Sequence, residues 1–114
     1  MEEKHWYRDN RKMGEKKSFI LYFDNLNLLR ILPMEQRGLL ITAVGEFAMA
    51  VADDPEFEWK AIAETYPEME DNTVFVMQFI CGCIARDTET WNLQREARIR
   101  RREEKLRRQQ EGEA

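Results

Sequence analysis

From Thr73 to about Gln109 the chain has no proline and one internal glycine, Gly82. Nothing in that run halts a helix once it has begun. Turning about 100° per residue brings Met77, Ile80, Ile84 and Trp91 into one narrow sector, with Gln78, Gly82, Arg86 and Glu89 on or near the opposite side. The spacing predicts one long amphipathic helix whose first sector faces a core. Some 35 residues at 1.5 Å rise extend on the order of 50 Å, far beyond a body with a radius of gyration near 12 Å. Its last turns must therefore project or meet another chain.

The remainder also reads as helical, so the expected fold is all-α, about four helices ending in a long charged one. Segment Ser18 to Leu32 has apolar residues at 19, 22, 23, 26 and 29, a helical recurrence that Ser18 is suited to cap, although FILYF also fits a short buried strand. Pro33 interrupts it and is tolerated in the first turn of a second helix, in which Leu40, Ala43, Val44, Phe47 and Val51 mark a buried face. Gly38 and Gly45 lie nearly on one line, which suits either a close helix approach or tolerated small surface residues. Trp59 to Tyr66 predicts a short third helix stopped by Pro67, and Asp71 or Asn72 is suited to cap the long helix. Three parts result: a polar N-terminal extension (1–17), a helical domain (18–94) and a basic helical tail (95–114). Met13 is a candidate internal start.

Charge is unevenly divided. Residues 1–17 hold six cations and four acids, residues 18–94 four and thirteen, and residues 95–114 eight and five, giving +2, −9 and +3, for a net of −4. An acidic body with basic ends draws partners of either sign at different places. No run of 18 apolar residues exists, and the N-terminus lacks the apolar stretch of a signal peptide, so a cytoplasmic protein with no membrane association is expected. With about 80 residues left for a core, oligomerisation is expected as well.

Most catalytic chemistry lacks its parts. The sole histidine is His5, and no phosphate loop or nucleophile elbow is present. Asp53, Asp54, Glu56 and Glu58 lack the central glycine of a calcium loop and read as a solvated turn. Cys81 and Cys83, two apart on a helix, diverge by about 200°, which rules out a shared metal or a mutual disulfide and leaves structural cysteines. Neither enzymatic activity nor a cofactor or metal is expected.

The tail carries the sharpest pattern. Arg95, Arg98, Arg101, Arg102, Lys105 and Arg108 fall within an arc of about 140°, while Glu96, Glu103 and Glu104, with Arg100 and Arg107, occupy the other side. Three i to i+4 pairs, Glu96 with Arg100, Glu103 with Arg107 and Glu104 with Arg108, support the helix and leave the other five cations of the six-cation face without partners. Like charges at 98 and 102, or 101 and 105, repel unless an anion compensates. A phosphate backbone is such an anion, and its counterion release makes binding steeply salt dependent. These six residues are the candidate nucleic-acid contact. No aromatic residue follows Trp91, so base stacking is not expected there. Two other partners fit the charge: a basic protein surface that the acidic body would occupy as a nucleic-acid mimic, and a neighbouring protomer in a structural oligomer.

The stretches KKSFILYFDNL, LPMEQRGLLITAV, DPEF and MQFICGCIARDTETW, covering about residues 16–95, resemble an uncharacterised family of small phage and integrative-element proteins of Gram-positive bacteria. That family is similar to the front part of phage replisome-organiser proteins. The closing pattern here is Phe79, Ile80, Arg86, Asp87, Thr88 and Trp91. The resemblance implies a non-enzymatic accessory role in phage-type DNA replication, with no catalytic residues. The chain departs from it in a tail rich in Arg and Glu, with no glycine between Arg95 and Gly112. Asp87 lies near the core sector, and if buried it needs a hydrogen-bond partner, for which Tyr22 or a helix N-terminus qualifies.

Overall fold

A computed structural model describes residues 16–112; His5 and the candidate start Met13 lie outside them. Among the described residues the fold is all-α, with α1 at Phe23–Arg30, α2 at Met34–Asp53, α3 at Trp59–Ala63 and α4 at Asp71–Gly112. No helix among them is long and apolar enough to cross a membrane.

The first helix starts later than its apolar spacing suggested. Residues 16–22 have no regular secondary structure; Phe19 and Leu21 pack against the core while Ile20 is exposed. Ser18 therefore caps nothing. The turn forms at Tyr22, whose backbone N–H donates to Asn25 Oδ1 at 2.9 Å and whose carbonyl accepts from the Leu26 N–H at 3.1 Å. Asn25 and Leu29 are buried, as is Leu32 beyond the helix, while Phe23 is 85% exposed. The expected face through residues 22, 23 and 26 points to solvent, because burying Asn25 with its bond satisfied rotates the short helix. At its other end Arg37 Nε donates to Leu32 O at 2.8 Å and Arg37 Nη2 to Arg30 O at 2.7 Å, satisfying carbonyls that a helix terminus leaves free.

The core is chiefly α2 against α4. Leu40, Ala43, Val44, Phe47 and Val51 of α2 are buried, as predicted, and meet Met77, Ile80 and Ile84 of α4. Full burial of each large aliphatic contributes about 1.5–3 kcal/mol. Cutting fully buried Ile80 back to alanine would cost about 2–5 kcal/mol through the cavity it leaves. Trp91, grouped with these by spacing, is only half-buried, since the body thins where α4 departs from it. A Cβ built on Gly38 or Gly45 meets no atom within 4 Å, so neither serves close helix approach; both are tolerated small residues. The third helix ends at Ala63, short of the expected Tyr66.

α4 begins at Asp71, so Asp71 and Asn72 lie inside it and do not cap it. The cap comes from another helix. Buried Gln36 of α2 accepts from the Glu70 N–H at 2.9 Å and the Thr73 hydroxyl at 2.6 Å, and donates through Nε2 to Glu68 O at 3.1 Å. This places the start of α4 beside the start of α2. A second buried polar tie links Glu46 Oε1 to the Tyr66 hydroxyl, which donates to it at 2.5 Å. From its cap α4 runs unbroken for 42 residues, about 63 Å at 1.5 Å per residue. The molecule measures 66 × 35 × 19 Å with a radius of gyration of 18.4 Å, against about 13 Å for a compact chain of this size.

Candidate nucleic-acid interface

The six cations of the candidate stripe all lie on α4, which stays helical to Gly112, and every residue from Arg98 to Gly112 is exposed. Arg98, Arg101, Arg102, Lys105 and Arg108 stand on the free part of the rod, sorted to one side by its regular turn. Their repulsion is borne by water, which screens exposed charges. Arg101 Nε leans back on Ala97 O at 3.3 Å. From Arg95 to Arg108 the stripe covers about 20 Å along the axis, enough for several phosphates of one strand.

Arg95 belongs to the junction between rod and body. Its Cζ lies 5.8 Å from the centroid of the Trp91 ring, and Lys16 Nζ lies 6.0 Å from the same centroid. Both are within cation–π range, where a ring's negative face attracts the cation. Lys16 Nζ also donates to Ser18 O at 2.6 Å. The irregular segment before α1 thus adds a seventh cation at the root of the stripe, one that the projection of α4 alone did not include.

The long helix also separates the charges. Glu68, Glu70 and Asp71 are exposed at the start of α4, about 36 Å or more along the axis from the stripe. Asp71 sits where the helix dipole favours an anion, and the cations sit toward the end that favours them. A polyanion at the stripe therefore meets little repulsion from that acidic end.

Two groups outside the stripe complete the chemistry. The Tyr22 hydroxyl donates to Asp87 Oδ2 at 2.7 Å, the partner anticipated for that carboxylate. Its bond to Asp87, with desolvation and the carboxylate charge adding to it, holds the Tyr22 phenol above its usual value of 10.0. Cys81 is buried and Cys83 half-buried, both as free thiols, and burial pushes the Cys81 thiol up to about 12. Sequence reasoning missed Gln36 and Glu46, since the residues each serves lie more than one helix away in the chain.

One protein-family model matches the chain, over residues 18–111, from the segment before α1 through nearly the whole tail. No curated protein and no solved structure matches it.

Proposed function

Since the chain belongs to DUF6291, a family of unknown function whose model spans residues 18–111, we propose from its own surface that it is a non-enzymatic accessory protein that binds nucleic acid. The contact is the basic side of the projecting end of α4. One observation carries this reading: an unbroken helix that leaves Arg98, Arg101, Arg102, Lys105 and Arg108 exposed, with Arg95 rooted on Trp91. Cations held at fixed helical spacing suit a regular phosphate backbone, and they bind by charge without reading bases. The sequence resemblance to the front part of phage replisome-organiser proteins directs the role to phage-type DNA replication.

The test is a titration of labelled duplex and single-stranded DNA at two salt concentrations. The native protein is expected to bind at low salt and to weaken steeply as salt rises. A variant with all six stripe residues changed to Gln should lose the salt-sensitive component while keeping its helical circular dichroism. Absence of DNA and RNA binding by the native chain at low salt would remove the reading. Copurification with a basic enzyme would then favour the nucleic-acid mimic.

A further inference from the structure

Cations are scarce on the body, and half of them line one groove. Residues 18–94 hold four cations against thirteen acids, yet the open groove of about 720 Å³ between α1 and α2 takes two of those cations, Arg30 and Arg37, and none of the acids. Asp24 and Glu35, the acids nearest in sequence, are not among its lining residues. Its walls are otherwise largely apolar: Phe23 is 85% exposed, Met34 74%, Leu26 42% and Ile41 41%. The chain's own packing leaves these large groups in water around a concave surface, of a size that ligand sites have.

Arg37 is set in place without an anion. Its Nε and Nη2 donate to Leu32 O and Arg30 O at 2.8 and 2.7 Å, and its Nη1 to Met34 Sδ at 3.1 Å. These acceptors are all neutral, so the guanidinium is fixed at the groove with its charge unmet by a carboxylate among the described residues. Arg30 is exposed beside it on the same groove.

We propose that the groove between α1 and α2 binds an acidic amphipathic helical segment of another protein, its apolar side seated between the two helices and its carboxylates on Arg30 and Arg37. The apolar walls require apolar side chains. The wall from Met34 to Ile41 covers two turns, about 10 Å, the length over which a bound helix presents anchors at i, i+3 or i+4, and i+7. Charge then sorts the occupants: a basic segment meets two arginines, whereas an acidic one finds here the arginine-lined part of a body that is acidic elsewhere. An isologous contact with a second copy brings the same patch, with two arginines and no acid, and so lacks the carboxylates. The inference stands apart from nucleic-acid binding, since the stripe lies on the projecting end of α4 and the groove on the body.

Fluorescence anisotropy on the full chain tests it, with a labelled synthetic peptide of about three helical turns that carries leucines on one side and glutamates flanking them. The peptide should bind, with an affinity lowered about tenfold or more by Arg30→Glu and by Met34→Glu. Both positions are exposed, and both variants should keep native helical circular dichroism. Binding should be retained when all six stripe residues are changed to Gln, and lost when the peptide's glutamates become lysines or its leucines become serines. No binding by the native chain overturns the proposal, as does equal binding of the lysine peptide. An affinity that survives Met34→Glu but disappears in the stripe variant also overturns it and assigns the contact to charge on the tail. A native dimer in sedimentation equilibrium that Met34→Glu dissociates gives the groove to a second copy, and peptide binding that emerges only after Trp6 and Tyr7 are changed to Ala gives it to the chain's own N-terminal segment; either result overturns the proposal.

Discussion

The Tyr22 hydroxyl reaches Asp87 Oδ2 at 2.7 Å across 65 positions of sequence, and this one bond ties the segment before α1 to the middle of α4. Tyr22 is also the N-cap residue, immediately before the first residue of α1. The chain thus turns from irregular to helical at the point where it is fastened to the long helix. Lys16 over Trp91, about one turn farther along α4 from Asp87, continues the same seam.

Changing Tyr22 to Phe should lower the melting temperature at pH 7 and alter its dependence on alkali. The folded state raises the Tyr22 phenol above 10.0, so its contribution is fully present below pH 10 and is lost as pH rises through the folded value. Thermal melts by circular dichroism between pH 7 and 11 should fall less steeply above pH 10 for Tyr22→Phe than for the native chain. Parallel curves would show that the bond has no energetic role.

The two thiols should differ sharply in reactivity. Thiolate is the attacking form, and burial raises Cys81 from 9.0 to about 12 while also shielding it. With a disulfide reagent at neutral pH, Cys83 should react first and Cys81 only as fast as the helix packing opens. The same shift has a stability consequence: it favours the fold below about pH 9, the ordinary thiol value, and is lost as pH rises toward 12. Equal rates for both cysteines in the native chain would contradict the buried placement.

Gln36 should prove the most sensitive polar residue outside the apolar core. Gln36→Leu leaves the Glu70 N–H and the Thr73 hydroxyl without their acceptor, and Glu68 O without its donor. The expected loss is about 2–3 kcal/mol, at about 1 kcal/mol for each of the three groups left without its partner. Urea unfolding measures it. Thr73→Val should cost less, and the double variant should lose less than the two separate losses combined, because both act through the same Gln36 oxygen.

Gly38→Ala should stabilise the chain. The position lies inside α2, is exposed, and has nothing within 4 Å of a built Cβ. Alanine restricts the unfolded chain and suits the helix, for a gain of up to about 1 kcal/mol. A loss on urea unfolding would mean that a contact forms there in solution.

For the stripe, the informative quantity is the salt slope. If all six cations engage duplex phosphates, the logarithm of the binding constant should fall with the logarithm of salt at a slope near −5. Changing Arg98 or Arg102 alone to Gln should reduce that slope by about one and weaken all sequences alike. A variant that altered sequence preference without altering the slope would point to base contacts.

The sequence by itself determined the long helix, its core sector at Met77, Ile80 and Ile84, the buried face of α2, and the sorting of arginines along the tail. Each follows from periodicity, which depends only on a regular turn repeated over many residues. Spacing placed Asp87 near the core sector and left Tyr22 or a helix N-terminus as its partner; the fold chose Tyr22. Tertiary structure decided the rest. Whether residues 18–22 joined α1 depended on Asn25 finding its burial, and an eight-residue helix has too few turns for apolar spacing to fix its orientation. The cap of α4 came from Gln36, more than thirty residues upstream, and Lys16 was brought to Trp91 by a segment with no regular structure. These outcomes rest on satisfying single hydrogen-bonding and charged groups between distant parts of the chain, and such pairings leave no periodic trace in the residues that make them.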